Sequence, residues 1–341
     1  MSQQASRRDF LKAGWGVGVG LLVAAPAGAQ NPASRDTPSA KPARSIEREA
    51  AAETPRCTVY IMTDLEGVAG VLDFENWCRP DSRYYELGKE FLTLEVNAAI
   101  EGFARGGATE FLVADGHGWG AINPKLLDSR AQLARNWGPR PYPFSLERGM
   151  DFAAWVGQHA MSRSEYAHLA HTGSFSVFET TINGQPVGEF GEVALCASQL
   201  GVRVIFGSGD LAFTKEAQAL VPGMETVAVK RGTTPGRGDE CSSESYATRN
   251  VAAIHYQPER ARQMILAGAE RAIRRAKADP SWGMIPLRPP FEKVTVLRPN
   301  LNHPRQPKRI SRTTHLSDVI ALLNSSGKYE PLTEEGQKTK S

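Results

Sequence analysis

No two cysteines in this sequence are close enough to form a C-x-x-C motif. The four, Cys57, Cys78, Cys196 and Cys241, are scattered along the chain, which removes the common thiolate-zinc and dithiol redox patterns. A surplus of one charge is missing too. Lys and Arg number 40 against 37 Asp and Glu, and residues 1–56 hold eight basic and five acidic side chains, leaving 32 of each sign in the remainder. A body so balanced does not neutralise a run of phosphates, which excludes a nucleic-acid binder. There is no glycine-rich phosphate loop, no heptad seam, no internal repeat, and no apolar run of the roughly 20 residues that a spanning helix needs. What the 341 residues do contain is 41% apolar side chains, enough for one large core or two modest ones. Cys196 sits in an apolar helical pattern and reads as a small core residue. Pairing of Cys57 with Cys78 stays open, because spacing does not supply disulfide geometry.

The first residues have a separate logic. Ser6-Arg7-Arg8-Asp9-Phe10-Leu11-Lys12 precedes a Gly/Val/Leu stretch from Ala13 to Ala25, and Ala27-Gly28-Ala29 forms a small-x-small cleavage pattern. Residues 1–29 therefore read as a signal peptide. The arginine pair resembles the twin-arginine export signal, an address read by a receptor and not a stable membrane anchor. That resemblance implies the twin-arginine translocon as a transient partner, folding in a reducing compartment before export, and a periplasmic or secreted destination. Residues 30–56 are Ala, Pro, Ser and charge, with Ile46 the one large aliphatic side chain, and form a flexible linker.

Past residue 56 the pattern is α/β. A continuous apolar run from Cys57 to Met62 marks a strand buried on both faces. A helical pattern follows from about Ser82, with Phe91, Leu94, Ala98 and Phe103 on one stripe, and stops at Gly106-Gly107. A second strand at Glu110–Ala114 completes a βαβ unit, so the sheet is expected to be parallel. Strands follow at Phe152–Val156, Val202–Phe206 and Thr226–Val229, with a hairpin at Asn183-Gly184, a helix from about Glu189 and another from Asp210 to about Leu220. Residues 57–230 thus predict a mostly parallel sheet in a three-layer arrangement. Residues 231–341 predict a smaller α+β portion, with an amphipathic helix at Gln257–Ala276, a strand at Val294–Leu297 and a disordered tail.

In open parallel sheets, ligands bind beyond the carboxyl ends of the strands. Here those positions read Thr63-Asp64-Leu65-Glu66-Gly67, Asp115-Gly116-His117-Gly118 and Gly157-Gln158-His159-Ala160, and Gly188-Glu189 opens a helix nearby. Carboxylates and imidazoles are delivered to one edge, with Gly67, Gly116 and Gly118 expected to turn the backbone sharply. Oxygen and imidazole donors without thiolate suit zinc, manganese or cobalt. Singly, each residue has a plainer explanation: an Asp at a strand end caps a helix, and a His in a loop is solvated.

The ordered set, Thr63-Asp64-Leu65-Glu66-Gly67-Val68-Ala69-Gly70, Asp115-Gly116-His117, Gly157-Gln158-His159-Ala160, Ala170-His171-Thr172, Asn183-Gly184-Gln185-Pro186-Val187-Gly188-Glu189 and Gly207-Ser208-Gly209-Asp210, resembles the D-aminopeptidase family of dinuclear zinc peptidases. The match is good from Thr58 to Lys230 and loose beyond. The resemblance implies two zinc ions per chain, with Asp64 bridging, Glu66 and His117 on one ion, His159 and Glu189 on the other, and His171 as the catalytic histidine. It also implies short peptide substrates with an amino-terminal D-residue and a ring-type homo-oligomer. Gln158 stands where many members have an aromatic residue, and Thr172 where others have Ser. Outside the resemblance, His168 reads as a solvated loop residue, Asp210 as a helix cap and Lys230 as a solvated lysine. The basic stretch Arg298 to Arg312 reads as solvated surface. Two other functions remain open on sequence: a periplasmic peptide-binding protein without catalysis, and a metal-dependent hydrolase of another substrate.

Overall fold

The computed structural model describes residues 55–300 and 308–332. The leader at 1–29 and all of the 30–56 linker but its last two residues lie outside these, as does the tail from 333. The first strand, β1 (Thr58–Thr63), is buried at every position. A short helix α1 (Phe74–Trp77) leads to α2 (Tyr85–Arg105), then β2 (Glu110–Asp115), β3 (Ala131–Ala134) and β4 (Phe152–Gln158). The hairpin β5 (Val177–Ile182) and β6 (Gln185–Pro186) turns through Asn183 and Gly184 at φ 50 and 76°, as a type I′ turn requires. There follow α3 (Glu189–Leu200), β7 (Arg203–Asp210), α4 (Leu211–Leu220), β8 (Glu225–Gly232), α5 (Ser243–Arg249) and β9 (Ala253–His255). The described chain ends with α6 (Pro258–Ala278), β10 (Phe291–Leu297), β11 (Arg309–His315), α7 (Val319–Leu323) and β12 (Glu330–Pro331).

The main sheet has seven strands in the order β3-β2-β1-β4-β7-β8-β9, parallel throughout except for the β8–β9 edge pair. Alternate residues of β1 serve opposite faces: Val59 and Ile61 join the core beneath α2 and α6, while Tyr60 and Met62 join the core beneath α3 and α4. Helix, sheet and helix make the three layers. A second, antiparallel sheet in the order β12-β11-β10-β5-β6 draws the hairpin together with strands from beyond residue 230. No helix among the described residues is long and apolar enough to cross a membrane.

Several details depart from the sequence expectation. The buried stripe of α2 runs through Leu92, Val96, Ala99 and Phe103; Phe91 and Ala98 flank it, and Leu94 is only half-buried. The face is turned because α2 must meet α6 as well as the sheet. A Cβ on Gly102 would lie 2.3 Å from the Leu266 carbonyl oxygen, so the two helices approach backbone to backbone there. All four cysteines are free, and Cys57 and Cys78 do not pair. Arg298 is buried over the Tyr246 ring, 3.6 Å from its centroid, and is not part of a solvated basic surface.

Candidate metal centre

The chain steps outward from β1 to β2 and β3, then crosses to β4 on the other side of β1. At such a switch point the connections leave in opposite directions and open a crevice at the carboxyl ends of the strands. Asp64 and Glu66 follow β1, His117 follows β2, and His159 follows β4. Glu189 is the first residue of α3, and His171 lies on the loop between β4 and β5. Two glycines let the β1 and β4 loops touch. The Gly67 amide donates to the Gly157 carbonyl at 2.7 Å. A Cβ on Gly67 would lie 2.2 Å from the Gln158 carbonyl oxygen, and one on Gly157 would lie 2.1 Å from that of Asp64. Gly118, expected to be needed for the turn, has open space where a Cβ would go.

All six candidate residues converge. His117 Nδ1 lies 3.2 Å from Asp64 Oδ1 and 3.2 Å from Glu66 Oε2. His159 Nε2 lies 3.1 Å from Asp64 Oδ2 and 3.6 Å from Glu189 Oε1. Asp64 thus turns one oxygen to each histidine. His171 Nε2 is 3.7 Å from Glu189 Oε1, and its ring stacks on that of His159 at 3.9 Å between centroids. Two donor groups result, Asp64–Glu66–His117 and His159–His171–Glu189, each with its ligand atoms within 4.8 Å of one another. The second contains His171, which the sequence reading kept apart from the ligands.

The ring hydrogens show what these groups are built to hold. A carbonyl oxygen only accepts, so the ring nitrogens facing carbonyls must be the donors: His117 Nε2 to Cys78 at 2.8 Å, His159 Nδ1 to Ala160 at 2.9 Å and His171 Nδ1 to Leu169 at 2.8 Å. The opposite nitrogen of each ring is then the one aimed at the carboxylates. His159 Nε2 is buried without a hydrogen bond of good geometry. A lone pair facing carboxylate oxygens needs a cation between them, either a second ring proton or a metal ion. Tetrahedral zinc, with bonds of about 2.0–2.1 Å, sets its ligand atoms about 3.3 Å apart. The separations around Asp64 fit that spacing.

Electrostatics agree. Burial alone would push the Asp64 carboxyl up, but the hydrogen bonds and charges of His117 and His159 hold it well below the usual range. Burial would likewise push His117 and His159 down, yet Glu66 and Asp64 beside the one, and Glu189 and Asp64 beside the other, hold both imidazoles well above their ordinary value. The site favours a positive charge at both places. His171 goes the other way, lowered by burial and then by the charge of His159, and so remains neutral.

A cavity of about 690 Å³ opens over the site. Phe74, Trp119 and Phe175 form its aromatic rim, and Tyr142, Phe144, Glu192 and Val193 line it as well. Several supporting residues escaped the sequence reading. Arg135 donates to the carbonyls of Asp115, His117 and Gly118 at 2.5, 2.6 and 2.7 Å and clamps the His117 loop. Lys230, expected in solvent, is 2% exposed and donates to the Glu66 and Val71 carbonyls at 2.5 and 3.2 Å. Burial lowers its pKa to about 8. Glu95 on α2 accepts from the Ala69 amide at 3.0 Å. His168, also expected in solvent, is fully buried and donates to the Leu72 carbonyl at 3.0 Å. Asp210 caps α4 through the Phe213 amide, as expected, and accepts from the His168 amide too.

A parallel-sheet edge carrying two such donor groups beneath a cavity is the arrangement of a metallohydrolase. Comparison with known proteins narrows the class. The family profile described as D-aminopeptidase matches residues 57–303. A D-aminopeptidase of Bacillus subtilis (strain 168) is 32% identical over 195 residues, covering 56% of this chain and 69% of that protein. The solved structure described as "Zn-dependent D-aminopeptidase DppA from Bacillus subtilis, a self-compartmentalizing protease" shares the fold, with a TM-score of 0.63 and 23% identity over 78% of this chain and 94% of that one. The chain belongs to the D-aminopeptidase family and is a peptide hydrolase.

Proposed function

We propose that this protein is an exported zinc-dependent aminopeptidase that cleaves short peptides or amides, preferring a D-residue at the amino end. The observation that carries the reading is Asp64, whose two oxygens face different histidines, so that one carboxylate joins two donor groups. Asp64, Glu66 and His117 would hold one zinc ion, and Asp64, His159 and Glu189 would hold the other. Bound zinc supplies Lewis acidity, lowering the pKa of water toward neutrality and polarising the scissile carbonyl.

The chain's own groups do the rest. The carbonyl acceptors fix all three imidazoles in one tautomer, so none has to reorient during a turnover. His171, neutral and with Nε2 directed toward Glu189, takes up or returns a proton at that atom. The aromatic rim and the buried walls limit water around the bond being cleaved. Self-compartmentalisation, which the Bacillus structure is described as having, is proposed for this chain as a ring-type homo-oligomer.

The test is zinc analysis of purified protein together with a screen of paired D- and L-aminoacyl amides. About two zinc ions per chain and faster release from the D-amides are expected. A metal-replete protein inert on every amide, or an unqualified L-preference, would overturn the substrate assignment.

A further inference from the structure

Three residues past the half-buried Glu189, on the same face of α3, stands a buried carboxylate that the proposed chemistry does not use. Glu192 is 8% exposed and lines the cavity. Residues three apart on a helix place their Cβ atoms about 5–6 Å apart. Glu192 therefore sits one side-chain length along the cavity wall from the Glu189 end of the zinc site.

Its surroundings are constructed with care. Tyr142 donates its hydroxyl to Glu192 Oε2. The Tyr142 backbone is itself clamped: its amide donates to Asn324 Oδ1 at 3.2 Å, and its carbonyl accepts from Asn324 Nδ2 at 2.8 Å. The Tyr142 ring packs edge-on against Phe144 at 4.9 Å. Around the pair, Met62, Phe144 and Val193 make the cavity wall apolar. A carboxylate set in an apolar wall is costly unless a partner satisfies it. Tyr142 supplies one hydrogen bond, and Lys293, whose charge acts on Glu192, spends its ammonium on the Leu323 and Ser325 carbonyls at 3.2 and 3.1 Å.

We propose that Glu192, held by Tyr142, is a specificity-determining residue that receives an ammonium group at the end of the side chain of the substrate's amino-terminal residue, a lysine- or ornithine-type chain. An alkyl side chain of that length lies against Met62, Phe144 and Val193, and its terminal ammonium meets the carboxylate. A purely aliphatic chain brings Glu192 no cation beyond the Tyr142 hydroxyl it already accepts from, and discrimination comes from that difference. The inference rests on the aminopeptidase reading only for where the substrate's amino end lies.

The test uses zinc-loaded protein and two ligands that differ only in the ammonium, lysine hydroxamate and norleucine hydroxamate, each as its D and its L form. Calorimetric Kd values and kcat/KM for the matching amides are measured for the wild type, E192L and E192Q. Wild type is expected to bind the lysine ligand on the order of tenfold more tightly, as for a charge-assisted hydrogen bond in a desolvated pocket. E192L brings the ratio to about one or below. E192Q keeps an acceptor for Tyr142, guards against a folding defect in E192L, and lowers the ratio in the same direction. A wild type without preference overturns the inference, and so does a ratio unchanged in E192Q. Equal weakening of both ligands overturns it too, since it would place Glu192 at the α-amino group. If the binding preference holds while no amide is turned over, the peptidase reading fails and this one stands.

Discussion

Asp64 is the residue on which both donor groups depend, and it is 6% exposed between two imidazoles that each need a negative partner. Asp64→Ala is expected to abolish activity and remove most of the zinc while the domain stays folded, measured by metal analysis and circular dichroism on one preparation. A folded variant with wild-type zinc would show that the bridge lies elsewhere. His171 poses a finer question. Its Nε2 is 3.7 Å from the same Glu189 oxygen that His159 approaches at 3.6 Å, so geometry alone permits a ligand as well as a proton carrier. As a proton carrier it should give a His171→Ala protein with kcat lowered on the order of 10²-fold or more and zinc unchanged. As a ligand it should give a zinc-poor protein whose rate added zinc partly restores. Measuring kcat and metal occupancy together separates the two, and full rate with full metal excludes both.

At the scale of elements, what could be read in advance was what carries a pattern. The strands β1 and β4 are largely apolar runs buried at every position, β2 and β7 are nearly so, and the ligands follow from where β1, β2 and β4 end. Other strands carry no such run: β3 (Ala-Gln-Leu-Ala), at the edge of the main sheet, and β11 of the antiparallel sheet, with Arg309, Ser311 and Arg312, are too polar to announce themselves. Single polar residues were the hardest. Lys230 and His168 looked like solvated side chains because their carbonyl partners, at Glu66, Val71 and Leu72, belong to a distant loop. Glu95 had a local signal, since it lies between Leu92 and Val96 inside the buried stripe of α2. Burial pushes its carboxyl from 4.5 up to about 8, against the Ala69 amide and the charges of Lys230 and Arg262. Folded Glu95 then keeps a proton that the unfolded chain has lost between about pH 4.5 and about pH 8, so its contribution to stability falls as pH rises through that window. Glu95→Gln retains an acceptor for Ala69 and does not titrate. Urea denaturation from about pH 5 to about pH 8 should give a flatter dependence for the variant than for the wild type, and parallel curves would mean that Glu95 does not change protonation there.

At the scale of the whole molecule, the leader and the catalytic body make claims that can be tested apart. Every donor in the proposed centre lies between Asp64 and Glu189, well past the Arg7-Arg8 pair, so the proposed export signal can be altered without touching a ligand. The body holds its four cysteines as free thiols, three of them buried, and so requires no oxidising compartment to fold. Folding before export, which the proposed twin-arginine route would require, is compatible with such a body. Arg7→Lys with Arg8→Lys preserves the charge of the leader and its apolar stretch from Ala13 to Ala25, while removing the guanidinium pair. If a receptor reads those guanidinium groups, the doubly substituted precursor should accumulate inside the cell, folded, zinc-loaded and active on amides in a lysate, with little reaching the periplasm. Fractionation, with immunoblotting and amidase activity measured in each fraction, decides the matter. Undiminished periplasmic protein would mean that charge and apolarity are enough and that the chain leaves unfolded by the general secretory route. Zinc would then have to be acquired outside.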